Sequence, residues 1–236
     1  DLAVDADRID ILVGGQVLVD GPVDHAALQA AIGDVVARHP SLRTSFQEVD
    51  GLPVQVIADH VDMQLPVITT DSVDDAVAAA SAAILPLTDP SLLRAHLVRG
   101  VDATILALVI HHMVVDHGSI ALIVDDLAAA YRARVGGTEL PARIDGVEYA
   151  DVAVWQHRIF GLDTDPDSDA ARFGRDQIDF WRQRLDGLPD EILVAADRPR
   201  PEGLGQRGHV IDVELAADRY AELKTVFAAN GVTDFM

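Results

Sequence analysis

The sequence predicts a mixed α/β fold, and three observations carry that expectation. Thr104 to Ile110 is almost wholly apolar and rich in β-branched residues, which reads as a strand buried on both faces. Ser119 to Arg134 then sets Ile120, Ile123, Val124, Leu127 and Tyr131 at helical spacing. Elsewhere strand-like and helix-like stretches alternate, too irregularly for a simple Rossmann order.

From the N-terminus, Ile11 to Val19 reads as a strand and Val23 to Arg38 as an amphipathic helix with Leu28, Ile32 and Val35 on one face. Ser41 to Val49 and Pro53 to Ile57 predict a hairpin around Asp50-Gly51, a pair suited to a tight turn. Asp71 to Leu85 reads as a helix, and Leu92 to Val98 with Thr104 to Ile110 as a second strand pair. Beyond the helix from Ser119, Tyr149 to Phe160 and Ala170 to Leu185 read as further helices. Gly161 to Asp169 is acidic and turn-rich, and Arg198 to Gly208 is rich in proline and glycine, so both are expected as surface loops. His209 to Leu215 reads as a strand and Ala217 to Ala229 as a helix, with Asn230-Gly231 as its C-terminal cap. Trp155 and Trp181 are expected as packing anchors, and Asp125-Asp126 on a solvated helix face. No internal repeat is visible.

Composition narrows the function classes. The 236 residues can bury a substantial core, and 49% hydrophobic with 24% charged residues is ordinary for a globular protein. No run approaches the roughly 18 consecutive apolar residues of a membrane helix, and the acidic start lacks a secretory signal, so no membrane role and a cytoplasmic location are expected. The absence of cysteine excludes disulfides, thiolate metal sites and a cysteine nucleophile within these residues. With 18 Lys plus Arg against 39 Asp plus Glu, the net charge of −21 argues against nucleic-acid binding, which depends on neutralising phosphates. A docking partner that is itself acidic would need a local basic patch, for which Arg198, Arg200 and Arg207 are candidates.

The chemistry concentrates in His111-His112-Met113-Val114-Val115-Asp116-His117-Gly118-Ser119, at the junction of the predicted buried strand and the following helix. Side chains at such a strand end are held rigidly and still face a crevice. An imidazole, with an ordinary pKa of about 6.5, exchanges a proton near neutrality, and a positioned general base contributes roughly 10²–10⁴-fold in rate. Successive strand side chains point to opposite sides, so only one of the two adjacent histidines needs to face a cavity. The pair alone leaves a structural role and a catalytic one both open. His25, His39, His60, His96, His157 and His209 are scattered and read as surface or hydrogen-bonded residues. Ser119 lacks a GxSxG elbow, which argues against a serine hydrolase. A metal site on His111, His112, Asp116 and His117 is the alternative from a different class, although no HExxH arrangement is present.

The nonamer resembles the HHxxxDG signature of the condensation domains of non-ribosomal peptide synthetases, members of the chloramphenicol-acetyltransferase-like acyltransferases. Further segments match in order. Arg38-His39-Pro40-Ser41-Leu42-Arg43-Thr44-Ser45-Phe46 is similar to the RHxxLRTxF segment, and Leu85-Pro86-Leu87 with Leu92-Leu93-Arg94-Ala95 to the stretch ahead of the histidines. Tyr149 to Trp155 resembles YxDxAVW; Phe180 to Leu185 and Asp197-Arg198-Pro199-Arg200-Pro201 continue the likeness, which runs on to Val232-Thr233-Asp234-Phe235-Met236.

The resemblance implies a chloramphenicol-acetyltransferase-like lobe with a mixed sheet flanked by helices. Residues 1–236 would be the N-terminal lobe of a condensation domain, with the crossover toward the missing C-terminal lobe near 208–236. It implies amide-bond formation between a donor acyl or peptidyl thioester and an acceptor aminoacyl thioester. Both would be presented on phosphopantetheine arms of donor and acceptor peptidyl carrier proteins, beside neighbouring synthetase domains. No bound metal or redox cofactor is implied, because the thioester is already activated. By matching position His112 is the catalytic histidine, and His111, Asp116, Arg43, His117 and Gly118 support the motif. The resemblance pairs Asp116 with Arg43, with Arg94 as the alternative from this sequence; such a pair can be bidentate and pins two segments together. The resemblance implies an active-site tunnel at the interface of two lobes; His117 occupies the motif's glycine position and Gly118 follows it, so that His117 would narrow the tunnel, supply another polar contact, or be tolerated because Gly118 makes the turn. A catalytically degenerate docking module and a carrier-dependent O-acyltransferase are the alternatives.

Overall fold

The computed structural model describes residues 12–19, 21–82, 85–140, 146–161, 165–189 and 213–235, and the chain divides into two compact units, 1–192 and 193–236. The first unit is built on a four-stranded sheet in the order β1 (Leu12–Val19), β6 (Thr104–His111), β5 (Leu93–Arg99), β4 (Val67–Thr69). β6 is antiparallel to both neighbours and β4 runs parallel to β5, so the sheet is mixed. Paired on both sides, β6 has residues 106–111 buried on both faces, as its unbroken apolar run predicts.

Helices α1 (His25–Arg38) and α3 (His117–Gly136) cover one face of the sheet. Ile32 and Val35 of α1 and Ile123 and Leu127 of α3 pack in one core with Leu97, Leu106 and Ile110. α2 (Val73–Ser81) covers the other face, setting Val77 against Val98 and Ala107. Asp24 caps α1, accepting from the Ala27 N–H at 3.0 Å, and Ser72 caps α2. α2 ends at Ser81, with Ala82 as its C-cap, rather than running to Leu85. Two ionic contacts tie α1 to α3. Arg134 grips Asp34 with two bonds, 2.7 and 2.5 Å, and Asp126 takes Arg38 at 3.2 Å and His39 at 2.7 Å. Asp125 is exposed as expected, but Asp126 is a partly buried inter-segment tie, a correction that helical periodicity could not supply.

β2 (Thr44–Val49) and β3 (Leu52–Ile57) form a separate antiparallel hairpin. Asp50 and Gly51 both have positive φ, 54° and 78°, the geometry of a two-residue turn whose twist matches its strands. The hairpin begins later than predicted because Pro40–Arg43 is a short 3₁₀ turn, with Pro40 in the first turn, where its missing N–H costs nothing. β4 was not predicted: three residues are too few to show a period.

α4 (Tyr149–Phe160) and α5 (Asp169–Arg184) form a helical pair in which Phe160 stacks on Phe173 at 5.9 Å. Here the expectation of tryptophan anchors is corrected. Trp155 is 57% and Trp181 55% exposed, and Trp181 packs edge-on against its neighbour Phe180 instead of a core.

In the second unit, α6 (Ala217–Asn230) ends at Gly231, whose φ of 65° makes the predicted cap. Lys224 lies 5.5 Å from the Tyr220 ring, and the Tyr220 hydroxyl donates to Asp234. Residues 213–215 are irregular rather than strand; the rest of the predicted strand from His209, the loop from Arg198 to Gly208 and its three arginines lie outside the described residues. Among the described residues no helix is long and apolar enough to cross a membrane.

Candidate active site

The alternation of β6 separates the two adjacent histidines. His111, the last residue of the strand, is 2% exposed. Its Nδ1 accepts from the Met113 N–H at 3.2 Å, which puts the proton of the neutral ring on Nε2. Burial, and then the adjacent His112 ring, hold its pKa below the ordinary histidine value. His112 begins the turn after the strand and is exposed, and its imidazole has no hydrogen-bond partner among the described residues.

His112 lines a cavity of about 320 Å³ built from three segments. The strand-to-helix turn gives His112, Met113, Val114, Val115, Asp116 and Ser119. The hairpin and the turn before it give Pro40, Ser41, Thr44, Phe46, Gln55 and Ile57, and the first turn of α4 gives Tyr149 and Ala150. The motif and the tyrosine of the later segment, far apart in sequence, thus meet at one opening.

Asp116 does not pair with Arg43 or Arg94. It is the N-cap of α3: its Oδ1 accepts from the Ser119 N–H at 2.8 Å and hydroxyl at 2.6 Å, while the Asp116 N–H donates to Ser119 Oγ at 3.2 Å. The Ser119 hydroxyl bond is the main cause of a carboxyl pKa below the ordinary value, with the His112 ring a small addition. Arg43 instead donates to the Ala58 carbonyl, beside the end of β3, and its Nε is buried without a partner among the described residues. Arg94 pairs with Asp89 at 2.5 Å. The carboxylate goes to the orphan amides of its own helix because these stand within one turn of it.

The glycine question resolves in the same turn. His117 and Gly118 are the first two residues of α3, and neither has the positive φ that favours glycine. A Cβ on Gly118 would meet only Asp116 Oδ1, at 3.5 Å, an ordinary contact. Gly118 therefore makes no special turn, and His117 is exposed and does not line the cavity. Nor do His111, His112, Asp116 and His117 converge as metal ligands would; among the described residues no group of three or more His, Asp or Glu stands in such an arrangement.

Among the contributors that escaped the sequence reading are Ser119 as partner of Asp116, and Phe46 and Gln55 as cavity wall. The signals were present. Asp116-His117-Gly118-Ser119 has the spacing of a capping box, and the Asp50-Gly51 turn fixes the register that pairs Phe46 with Gln55.

The Condensation domain family model matches residues 14–236. A protein of Salinispora arenicola named as a probable non-canonical nonribosomal peptide synthetase, CymA, is 39% identical over 93% of this chain, which covers 3% of that protein. The dimodular nonribosomal peptide synthase of Bacillus subtilis is 33% identical over 93% of the chain, covering 9% of its length. Among solved structures, the X-domain in its complex with OxyB from teicoplanin biosynthesis superposes with a TM-score of 0.79 at 28% identity, over 97% of this chain and 50% of that one. The first condensation domain of the CDA synthetase gives 0.59 at 26% identity, over 77% of this chain and 46% of that one. The chain thus spans about half of these structures and under a tenth of these two curated relatives.

Proposed function

Because the chain belongs to the condensation-domain family of the non-ribosomal peptide synthetases, we propose that it is the N-terminal lobe of such a domain and supplies the histidine side of an amide-forming site. The C-terminal lobe would continue from a crossover near 208–236. The observation that carries the reading is the placement of His112 at the cavity mouth, with His111 turned into the core beneath it.

In this reading the α-amino group of a carrier-bound aminoacyl thioester attacks the carbonyl carbon of a donor thioester. The C–N bond forms, the C–S bond breaks, and the proton lost by nitrogen ends on the leaving thiol. His112, whose imidazole has no hydrogen-bond partner among the described residues, orients the amine and takes up its proton. His111 serves as a buried prop for the turn, and Asp116 with Ser119 holds the other end of that turn by capping α3. The thioester arrives activated on a phosphopantetheine arm, so positioning two tethered partners is most of the task. Donor and acceptor carrier domains and adjacent synthetase domains are the partners.

The test loads both carriers, adds the protein within its natural synthetase, and follows product by intact-mass spectrometry. His112→Ala is expected to lower amide formation by about 10²-fold or more while the fold, read by circular dichroism, is kept. Undiminished product from the folded variant would remove His112 from the chemistry. No product even from wild type, with carrier binding retained, would assign the chain a docking role instead.

A further inference from the structure

We propose that the inner face of the β2–β3 hairpin selects the substrate side chain seated beside His112, admitting uncharged groups and turning away acidic ones. The inference deepens the condensation reading and rests on it. The register of the hairpin pairs Thr44 with Ile57 and Phe46 with Gln55, and paired residues of antiparallel strands share a face. All four line the His112 cavity. The Asp50-Gly51 turn pins that register, so the same face stays turned inward.

The composition of the walls defines the occupant. Phe46, Ile57, Met113, Val114 and Val115 give an apolar lining, and the cavity of about 320 Å³ lies at the small end of the roughly 300–1,000 Å³ typical of small-molecule pockets. That suits one side chain rather than a peptide. Among the described residues no lysine or arginine lines it, and the carboxylate on its described wall, Asp116, is negative. A substrate carboxylate here would gain no counter-ion from the described walls and would face a like charge. Besides His112, three hydrogen-bonding side chains on the walls, Ser41, Gln55 and Tyr149, have no partner among the described residues and remain available to a neutral polar group. The turn from His112 to Ser119 is committed to the chemistry and to capping, whereas the hairpin face carries neither. It is the wall free to set selectivity.

The experiment is a competition in the natural synthetase among leucyl-, glutaminyl- and glutamyl-loaded carriers, varying donor and acceptor in turn. At the carrier whose group enters the cavity, glutamyl is expected to lose by about tenfold or more, and Gln55→Arg to recover most of that loss by supplying a cation. Gln47→Arg adds the same charge on the opposite face of the hairpin and is expected to leave the ratios alone. Ratios at both carriers that ignore Gln55→Arg, or that respond equally to Gln47→Arg, overturn the proposal. If no pair of carriers yields an amide, the condensation reading fails separately. Selectivity is then read calorimetrically with leucyl and glutamyl pantetheine amides: weaker glutamyl binding that Gln55→Arg restores supports the hairpin, and equal affinities, or affinities that ignore Gln55→Arg, overturn it.

Discussion

His111 is a buried base whose environment favours the neutral ring, and that preference makes stability depend on pH. Its folded pKa lies below the ordinary value of about 6.5 because burial strips water from the charged form. Below about pH 6.5 the unfolded chain takes up a proton that the folded chain refuses. The contribution is therefore complete above that pH and lost as pH falls toward the lowered folded value. Urea midpoints are expected to drop between pH 7 and 5, and more steeply in wild type than in His111→Gln, which has nothing to titrate. Identical slopes would show that His111 titrates alike in both states. Asp116 has the opposite charge and the same direction: its pKa, lowered chiefly by the Ser119 hydroxyl, adds stability above the ordinary aspartate range and gives it up in acid. The Asp116 window lies at lower pH; His96, its pKa also lowered by burial and then by Arg94, loses stability over the same range as His111, so the share of His111 is the difference between wild type and His111→Gln.

Elements divide by what covers them. Leu97 of β5 is wholly buried between the sheet and α1 and α3, so Leu97→Ala is expected to cost about 2–5 kcal/mol in urea unfolding. Leu52 of β3, 67% exposed at the hairpin tip, is expected to cost within about 0.5 kcal/mol for the same change. A small loss at Leu97 would mean that the site collapses around the gap. The same distinction explains what the sequence made legible. β6 was readable from its continuous apolar run and the hairpin from Asp50-Gly51, because local chemistry determines both. Helical spacing likewise showed α4 and α5, but it reports which residues share a face and not what lies against that face; hence Trp155 and Trp181 read as anchors and proved half-exposed. β4 exists through its parallel pairing to β5 and left no periodic trace. In the site, His112 and Asp116 were legible as a motif. The Asp116–Arg43 pair was a long-range expectation, and it gave way to a capping bond available within one turn.

At the scale of the whole molecule, charge dominates the surface. With a net charge of −21 and a calculated isoelectric point near 4.5, mutual repulsion keeps molecules apart at neutral pH. That repulsion vanishes as the carboxylates are protonated, while the apolar groups exposed on α4 and α5, Trp155, Phe180 and Trp181 among them, do not change. Turbidity is expected to peak near pH 4.5 and to fall on either side. A solution that stays clear through that pH would show that these faces do not drive association. The order of the sheet carries a last consequence, for how the chain is made. β5 and β6 are neighbours in sequence and can pair as soon as both exist, but β1 waits for β6, with Leu12 registered against His111. At a synthesis rate of about 5–20 residues per second, β1 is left without its partner for several seconds of translation. Gly14 and Gly15 in its middle weaken it as a free-standing strand, which tempers premature pairing with another nascent chain until the ribosome delivers β6.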